Sequence, residues 1–103
     1  MRDIRFAELV KNISKRTKVK QADTRKVLSA LYDELMYQFE QGECKIRLKK
    51  IGYFYNKYLP IREGEHPFTK EKVIYKERFK PRFFYNTQFR KELNKRAFGY
   101  YIT

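Results

Sequence analysis

The chain has 103 residues, the size of one small domain, and a second domain is not expected. Its 25 Lys plus Arg against 12 Asp plus Glu leave a net charge of +13. With 42% hydrophobic residues, including nine Phe and nine Tyr, it can fill a core, which argues against disorder despite the charge.

The charge is not evenly placed. Residues 1–42 carry nine bases and six acids, or +3, whereas residues 43–103 carry sixteen and six, or +10.

In chain order, Phe6, Leu9, Val10 and Ile13 fall at i, i+3, i+4 and i+7, the spacing of one apolar stripe on a helix. This predicts a first helix from about Asp3 to Arg16, with Asp3 as its cap. After the basic connection Thr17 to Lys20, Val27, Leu31, Leu35 and Phe39 recur every four residues, widened by Leu28, Tyr32 and Met36. They predict a second helix ending at Gly42, where a left-handed stop suits glycine. The two helices form a hairpin over residues 3–42 whose apolar faces need covering.

Lys45 to Lys49 alternates cations with Ile46 and Leu48, the period of a strand with one charged face. Gly52 marks a tight turn. Tyr53 to Tyr58 and Val73 to Phe84 are aromatic, strand-like runs, and Pro60 to Lys72 between them contains Gly64 and Pro67. The reading is a sheet over residues 43–84 from which a β-arm, about residues 59–75, projects to grip a partner. Asn86 or Thr87 can cap a short helix over 87–96 that contains Phe89 and Leu93. An aromatic tail, residues 97–103, follows with Phe98, Tyr100 and Tyr101.

Enzyme chemistry has little to work with. His66 is the only histidine, in a segment rich in Gly, Pro and charge, and reads as a surface-turn residue without a nucleophile or metal partner. Cys44 is the only cysteine; it reads as a small packed hydrophobe, and the absence of a possible internal disulfide or a signal-like apolar run points to a reducing, cytosol-like compartment. The single glycines form no phosphate-cradling loop. No catalytic residue, metal site or cofactor is expected. Nor is a membrane partner, because no apolar run approaches the roughly 20 residues of a bilayer span.

The order helix, helix, strand, strand, arm, strand, short helix resembles the HU and integration host factor family of architectural DNA-binding proteins over about residues 4–95. Lys50-Ile51-Gly52-Tyr53-Phe54 is similar to the family's Gly-Phe-Gly-Thr-Phe turn, keeping the second glycine and the last phenylalanine. The family's arm-tip pattern Arg-x-Gly-x-Asn-Pro-x-Thr is kept at Arg62, Gly64, Pro67 and Thr69, and its Pro-x-Phe at Pro81 and Phe83. Departures are Glu63 and Glu65 at usually neutral or basic positions, His66 for asparagine, and Lys70 for glycine. Lys50 replaces the first turn glycine, Lys20 stands where a serine cap is frequent, and one residue is inserted after Gly42.

The resemblance implies an α+β fold: a helical hairpin, a three-stranded antiparallel sheet with a β-arm, and a short C-terminal helix, in an intertwined dimer. The partner is a second copy or a related chain, with Phe6, Leu9, Ile13, Leu28, Leu31, Leu35, Phe54 and Phe83 in the dimer core. It also implies that Pro67 wedges into a base step, with Arg62 beside it in the minor groove of double-stranded DNA. Two carboxylates at such a tip would repel phosphate.

The basic half supplies the other contacts expected: Lys45, Arg47, Lys49, Lys57, Lys70, Lys72, Lys76, Arg78, Lys80 and Arg82. Alternate spacing places Lys76, Arg78, Lys80 and Arg82 on one face of a single strand, a track for salt-sensitive, sequence-tolerant binding. The plain reading of any one of these lysines is solubility at a sheet edge, and that of the aromatics is packing.

Two functions therefore stand. One is a cytoplasmic, nucleoid-associated protein that binds and bends duplex DNA. The other reuses the fold as a subunit of a protein assembly, such as a phage virion neck or tail ring, with the arm holding neighbouring virion or assembly proteins.

Overall fold

The computed structural model describes residues 1–100; Tyr101 of the aromatic tail lies outside them. The chain divides into two compact units, Met1–Glu40 and the residues from Gln41 onward.

The first unit is a pair of helices, α1 (Phe6–Thr17) and α2 (Gln21–Glu40). The N-cap of α1 is Arg5, without a side-chain cap, so Asp3 does not fill the capping role expected of it. The Leu9 N–H donates to the Arg5 carbonyl at 3.0 Å, which closes the first turn two residues downstream of Asp3. The helix stops at Lys18, whose φ of 58° is left-handed. There the Ser14 hydroxyl donates to the Val19 carbonyl, and that of Thr17 to the Ile13 carbonyl at 2.9 Å.

At the start of α2, both the N–H and the hydroxyl of buried Thr24 donate to the Lys20 carbonyl, at 2.9 and 3.0 Å. The helix ends at Glu40 rather than at Gly42, which lies two residues beyond with φ 135°. Glycine's tolerance of positive φ is used in the connection, not in the last helical turn.

Val10, 1% exposed, is the buried hydrophobic residue of this unit. Phe6 and Leu9 remain 44% exposed and Leu31 37%, while Ile13, Leu28 and Leu35 are half-buried. The apolar stripes are formed but incompletely covered.

The second unit contains a three-stranded antiparallel sheet of order β1 (Cys44–Leu48), β2 (Gly52–Leu59), β5 (Arg78–Tyr85). A separate two-stranded antiparallel ladder joins β3 (Arg62–Glu65) to β4 (Lys72–Tyr75). Lys50, with φ 68°, sits in the β1–β2 turn, where the Ile51 N–H closes on the Leu48 carbonyl at 3.1 Å. At Gly52 a Cβ would stand 2.1 Å from the Phe84 carbonyl oxygen. The close approach of β5 to β2 therefore requires glycine at this position.

Buried Asn56 donates from Nδ2 to the Gly42 carbonyl at 3.3 Å, fastening the connection onto β2. Glu43, between Gly42 and β1, accepts the Tyr58 N–H at 2.8 Å. It thus serves a β2 amide beyond the paired length of β1, whose ladder begins at Cys44 opposite Asn56.

Helix α3 (Thr87–Phe98) is capped by Asn86, whose Oδ1 accepts the Phe89 N–H at 2.7 Å. It closes at Gly99, left-handed at φ 83°, whose N–H donates to the Lys95 carbonyl. Phe89 stacks on Tyr85 with centroids 5.2 Å apart, joining α3 to the end of β5. No helix among the described residues is long and apolar enough to cross a membrane.

Candidate nucleic-acid interface

The sheet has two chemically different faces. Directly paired residues share a face and successive residues alternate, so the register puts Lys45 and Arg47 with Tyr53, Tyr55 and Lys57, and these with Phe84, Arg82, Lys80 and Arg78. Six cations stand on this face, and none of its strand residues is acidic. Lys57 and Lys80 are directly opposite each other, an arrangement that costs stability when nothing neutralises it.

The opposite face carries Ile46, Leu48, Phe54 and Phe83. The Phe54 and Phe83 rings are 4.7 Å apart, and Phe83 meets Tyr85 edge-on at 4.9 Å. Phe54 and Phe83, both expected in the dimer core, are half-buried within the chain.

One aromatic ring on the cationic face, that of Tyr53, is engaged with the cations themselves. Lys45 Nζ lies 4.5 Å and Arg47 Cζ 6.0 Å from the centroid of Tyr53. Tyr53 in turn stacks on Phe84 at 5.3 Å. The Tyr53 ring thus holds Lys45 and Arg47 over the sheet by quadrupole attraction.

Two of the cations expected on this face are elsewhere. Lys49 follows the end of β1 and belongs to the β1–β2 turn. Lys76 lies in a break, residues 76–77, between β4 and β5, so the four-cation row of one strand is three cations, Arg78, Lys80 and Arg82, extended sideways by Lys57. Period-two alternation holds only while the chain stays extended, and the break interrupts it.

At that break Glu77 accepts the phenolic proton of Tyr58 at 2.5 Å. The hydrogen bond, then desolvation and the carboxylate charge, raise the Tyr58 pKa above its ordinary 10.0. Tyr58 also meets Phe79 edge-on at 5.9 Å. A carboxylate inside a basic run looks from sequence like a gap in the cationic row; only the fold pairs it with a tyrosine 19 residues earlier.

The arm is two-faced as well. Arg62 pairs with Tyr75 and Gly64 with Val73 on one side; Glu63 pairs with Ile74 and Glu65 with Lys72 on the other. The Arg62 guanidinium lies 4.8 Å from the Tyr75 ring centroid. A Cβ on Gly64 would come within 2.7 Å of that ring, so Gly64 clears the space in which Tyr75 supports Arg62. The two carboxylates are thereby segregated from Arg62, and Lys72 accompanies them.

At the tip, His66 takes over the hydrogen bonding open to an asparagine in a turn. Its Nδ1 accepts the N–H groups of Phe68 and Thr69 at 3.2 and 3.3 Å. Lys70 is left-handed at φ 63°, and its N–H donates to the His66 carbonyl at 3.0 Å. Pro67 and Lys70 are exposed on this turn.

Arg47, Lys57, Arg78, Lys80 and Arg82 therefore share the sheet face with Lys45; Arg62, Pro67, Lys70 and Lys72 are distributed over the arm; Lys49 and Lys76 belong to neither group. Sequence patterning did not single out Tyr75, Glu77 or the supporting role of Tyr53. The glycine at position 64 is the one signal that a bulky neighbour crosses the arm.

A family model described as bacterial DNA-binding protein matches residues 5–94. Among solved structures, the chain is similar to an Anabaena HU–DNA cocrystal structure, with a TM-score of 0.66 and 26% identity over 84% of this chain and 94% of that one. With its α+β HU fold and this match, the chain belongs to the bacterial DNA-binding protein family, the family of HU.

Proposed function

We propose that the protein is an architectural DNA-binding protein that acts as a dimer, lays its cationic sheet face against duplex DNA and bends it with the arms, largely without sequence specificity. The observation that carries this reading is the one-sided sheet face, with Lys45, Arg47, Lys57, Arg78, Lys80 and Arg82 and no acidic strand residue. A duplex presents one negative charge per roughly 1.7 Å of axis and relieves the repulsion of such a face, releasing counterions. The solved HU relative is itself bound to DNA.

The exposed helical stripes favour dimerisation with a second copy or a related chain. Phe6, Leu9 and Leu31, together with Val27 at 69% and Met36 at 53% exposure, form apolar surface larger than one chain covers. Arg62 and Pro67 serve in the minor groove, and the cellular place of such a protein is the nucleoid.

The test is fluorescence anisotropy with a labelled duplex of about 30 base pairs at several salt concentrations, with light scattering for mass. Lys80→Ala with Arg82→Ala lowers the salt slope by roughly 0.9 for each phosphate that is no longer neutralised, equally on unrelated sequences. A slope that does not change removes this face from the reading.

A second reading is a structural subunit of an assembly such as a phage virion neck or tail ring. It is favoured by the arm face bearing Glu63, Glu65, Lys72 and Ile74, the last 70% exposed, where carboxylates outnumber the cation, a combination that suits protein contacts better than phosphate. Weak duplex binding together with ring-like assembly supports it.

A further inference from the structure

The arm tip holds a side chain that the function proposed above does not use. Phe68 is 88% exposed, and its ring neighbour among the described residues is His66, with centroids 6.0 Å apart. Nothing in a cross-strand pair or a core accounts for an aromatic ring there.

The backbone that carries this ring is firmly held. The His66 N–H donates to the Glu71 carbonyl at 2.8 Å and the Lys70 N–H to the His66 carbonyl at 3.0 Å. His66 Nδ1 accepts the N–H of Phe68 itself, and the Glu71 N–H donates to the Thr69 hydroxyl oxygen at 3.4 Å. Pro67 further restricts the chain immediately before Phe68. A ring presented on an ordered turn loses little conformational freedom when it meets a partner.

We propose that Phe68 is a base-stacking residue, so that the arm of this protein offers an aromatic ring beside Pro67 to the opened face of a base pair. The inference rests on the reading of the arm as a duplex-binding element. The arm itself is balanced in charge, Arg62, Lys70 and Lys72 against Glu63, Glu65 and Glu71, so the cationic sheet face brings the duplex to the arm and the apolar ring at the tip meets a base rather than a phosphate. A base step that the arm partly unstacks exposes a flat apolar surface, and aromatic stacking on it tolerates any sequence.

The chain contains no tryptophan, so Phe68→Trp places a single indole at the tip. The experiment titrates this variant with a duplex of about 30 base pairs, following indole emission and anisotropy together, with Phe68→Leu and Phe68→Ala compared for affinity. Stacking quenches the indole in step with binding, and both Phe68→Leu and Phe68→Ala bind roughly tenfold more weakly than the parent.

Unaltered indole emission while the duplex binds tightly overturns the proposal and leaves the DNA-binding function standing. Affinity kept by Phe68→Leu but abolished in Phe68→Ala also overturns it, since any apolar side chain would then serve. A concentration-dependent blue shift without DNA assigns the ring to protein contact and overturns it. Failure of the parent protein itself to bind the duplex overturns both the function and this extension of it.

Discussion

Tyr58 and Glu77 are joined by a 2.5 Å hydrogen bond that crosses from β2 to the break between β4 and β5. The tyrosine also receives Glu43 at its backbone N–H, so carboxylates from two segments converge on one residue at the root of the arm. The acceptor of the hydrogen bond, Glu77, lies between the last pair of the sheet, Leu59 with Arg78, and the first pair of the arm, Arg62 with Tyr75.

This pair gives the protein an alkaline signature. Because the folded pKa of Tyr58 is raised above 10.0, its stabilising contribution is complete below pH 10 and is lost as pH rises through the raised value. Phenolate absorbance should show a late-titrating tyrosine in the native protein. Glu77→Ala should bring that step back toward the ordinary value; an unchanged titration would disprove the pairing.

Gly52 is where substitution should cost most in stability. With the Phe84 carbonyl oxygen only 2.1 Å from the position of a Cβ, the backbone of β5 must retreat to admit alanine. Overpacking of this kind costs roughly 3 kcal/mol, and Gly52→Ala should lower the urea midpoint accordingly. Gly42→Ala, whose Cβ meets nothing within 4 Å, is strained only by its φ and should cost roughly 1–3 kcal/mol.

Gly64→Ala tests a different chain of causes. The new methyl displaces the Tyr75 ring, the ring releases Arg62, and the arm gives up an exposed cation–π interaction of about 0.5–1 kcal/mol. Global stability should scarcely change, while duplex bending falls more than affinity. Equal bending by the variant would separate Arg62 from the arm's action.

Lys57 and Lys80 predict a conflict between stability and binding. Lys80→Gln removes a directly opposed like charge and should stabilise the free protein by about 0.2–1 kcal/mol at low salt, an advantage that high salt erases. The same variant should bind duplex DNA less tightly. A loss of stability at low salt would show that the pair is neutralised within the protein.

Much of the architecture is legible in the sequence because hydrophobic period and turn chemistry are local properties. Phe6, Leu9, Val10 and Ile13 specify a helix, Asn86 a helix start, and Lys45 to Leu48 a strand with one charged face, all without reference to distant residues. The kept arm-tip pattern, with Gly52, Pro81 and Phe83, points to the family for the same reason: it is read residue by residue along the chain, without reference to distant pairing.

Tertiary structure decided the rest. Alternation tells which residues of a strand share a face, but not which strand lies opposite, so the meeting of Arg62 with Tyr75 and of Glu65 with Lys72 depends on the pairing of β3 with β4. The break at residues 76–77 removes Lys76 from a row that spacing had joined. Lys57, Lys80 and Arg82 become one charged surface only because antiparallel register brings β2 and β5 together. Composition and local order determined the elements and the excess of positive charge; long-range pairing determined which charges act side by side.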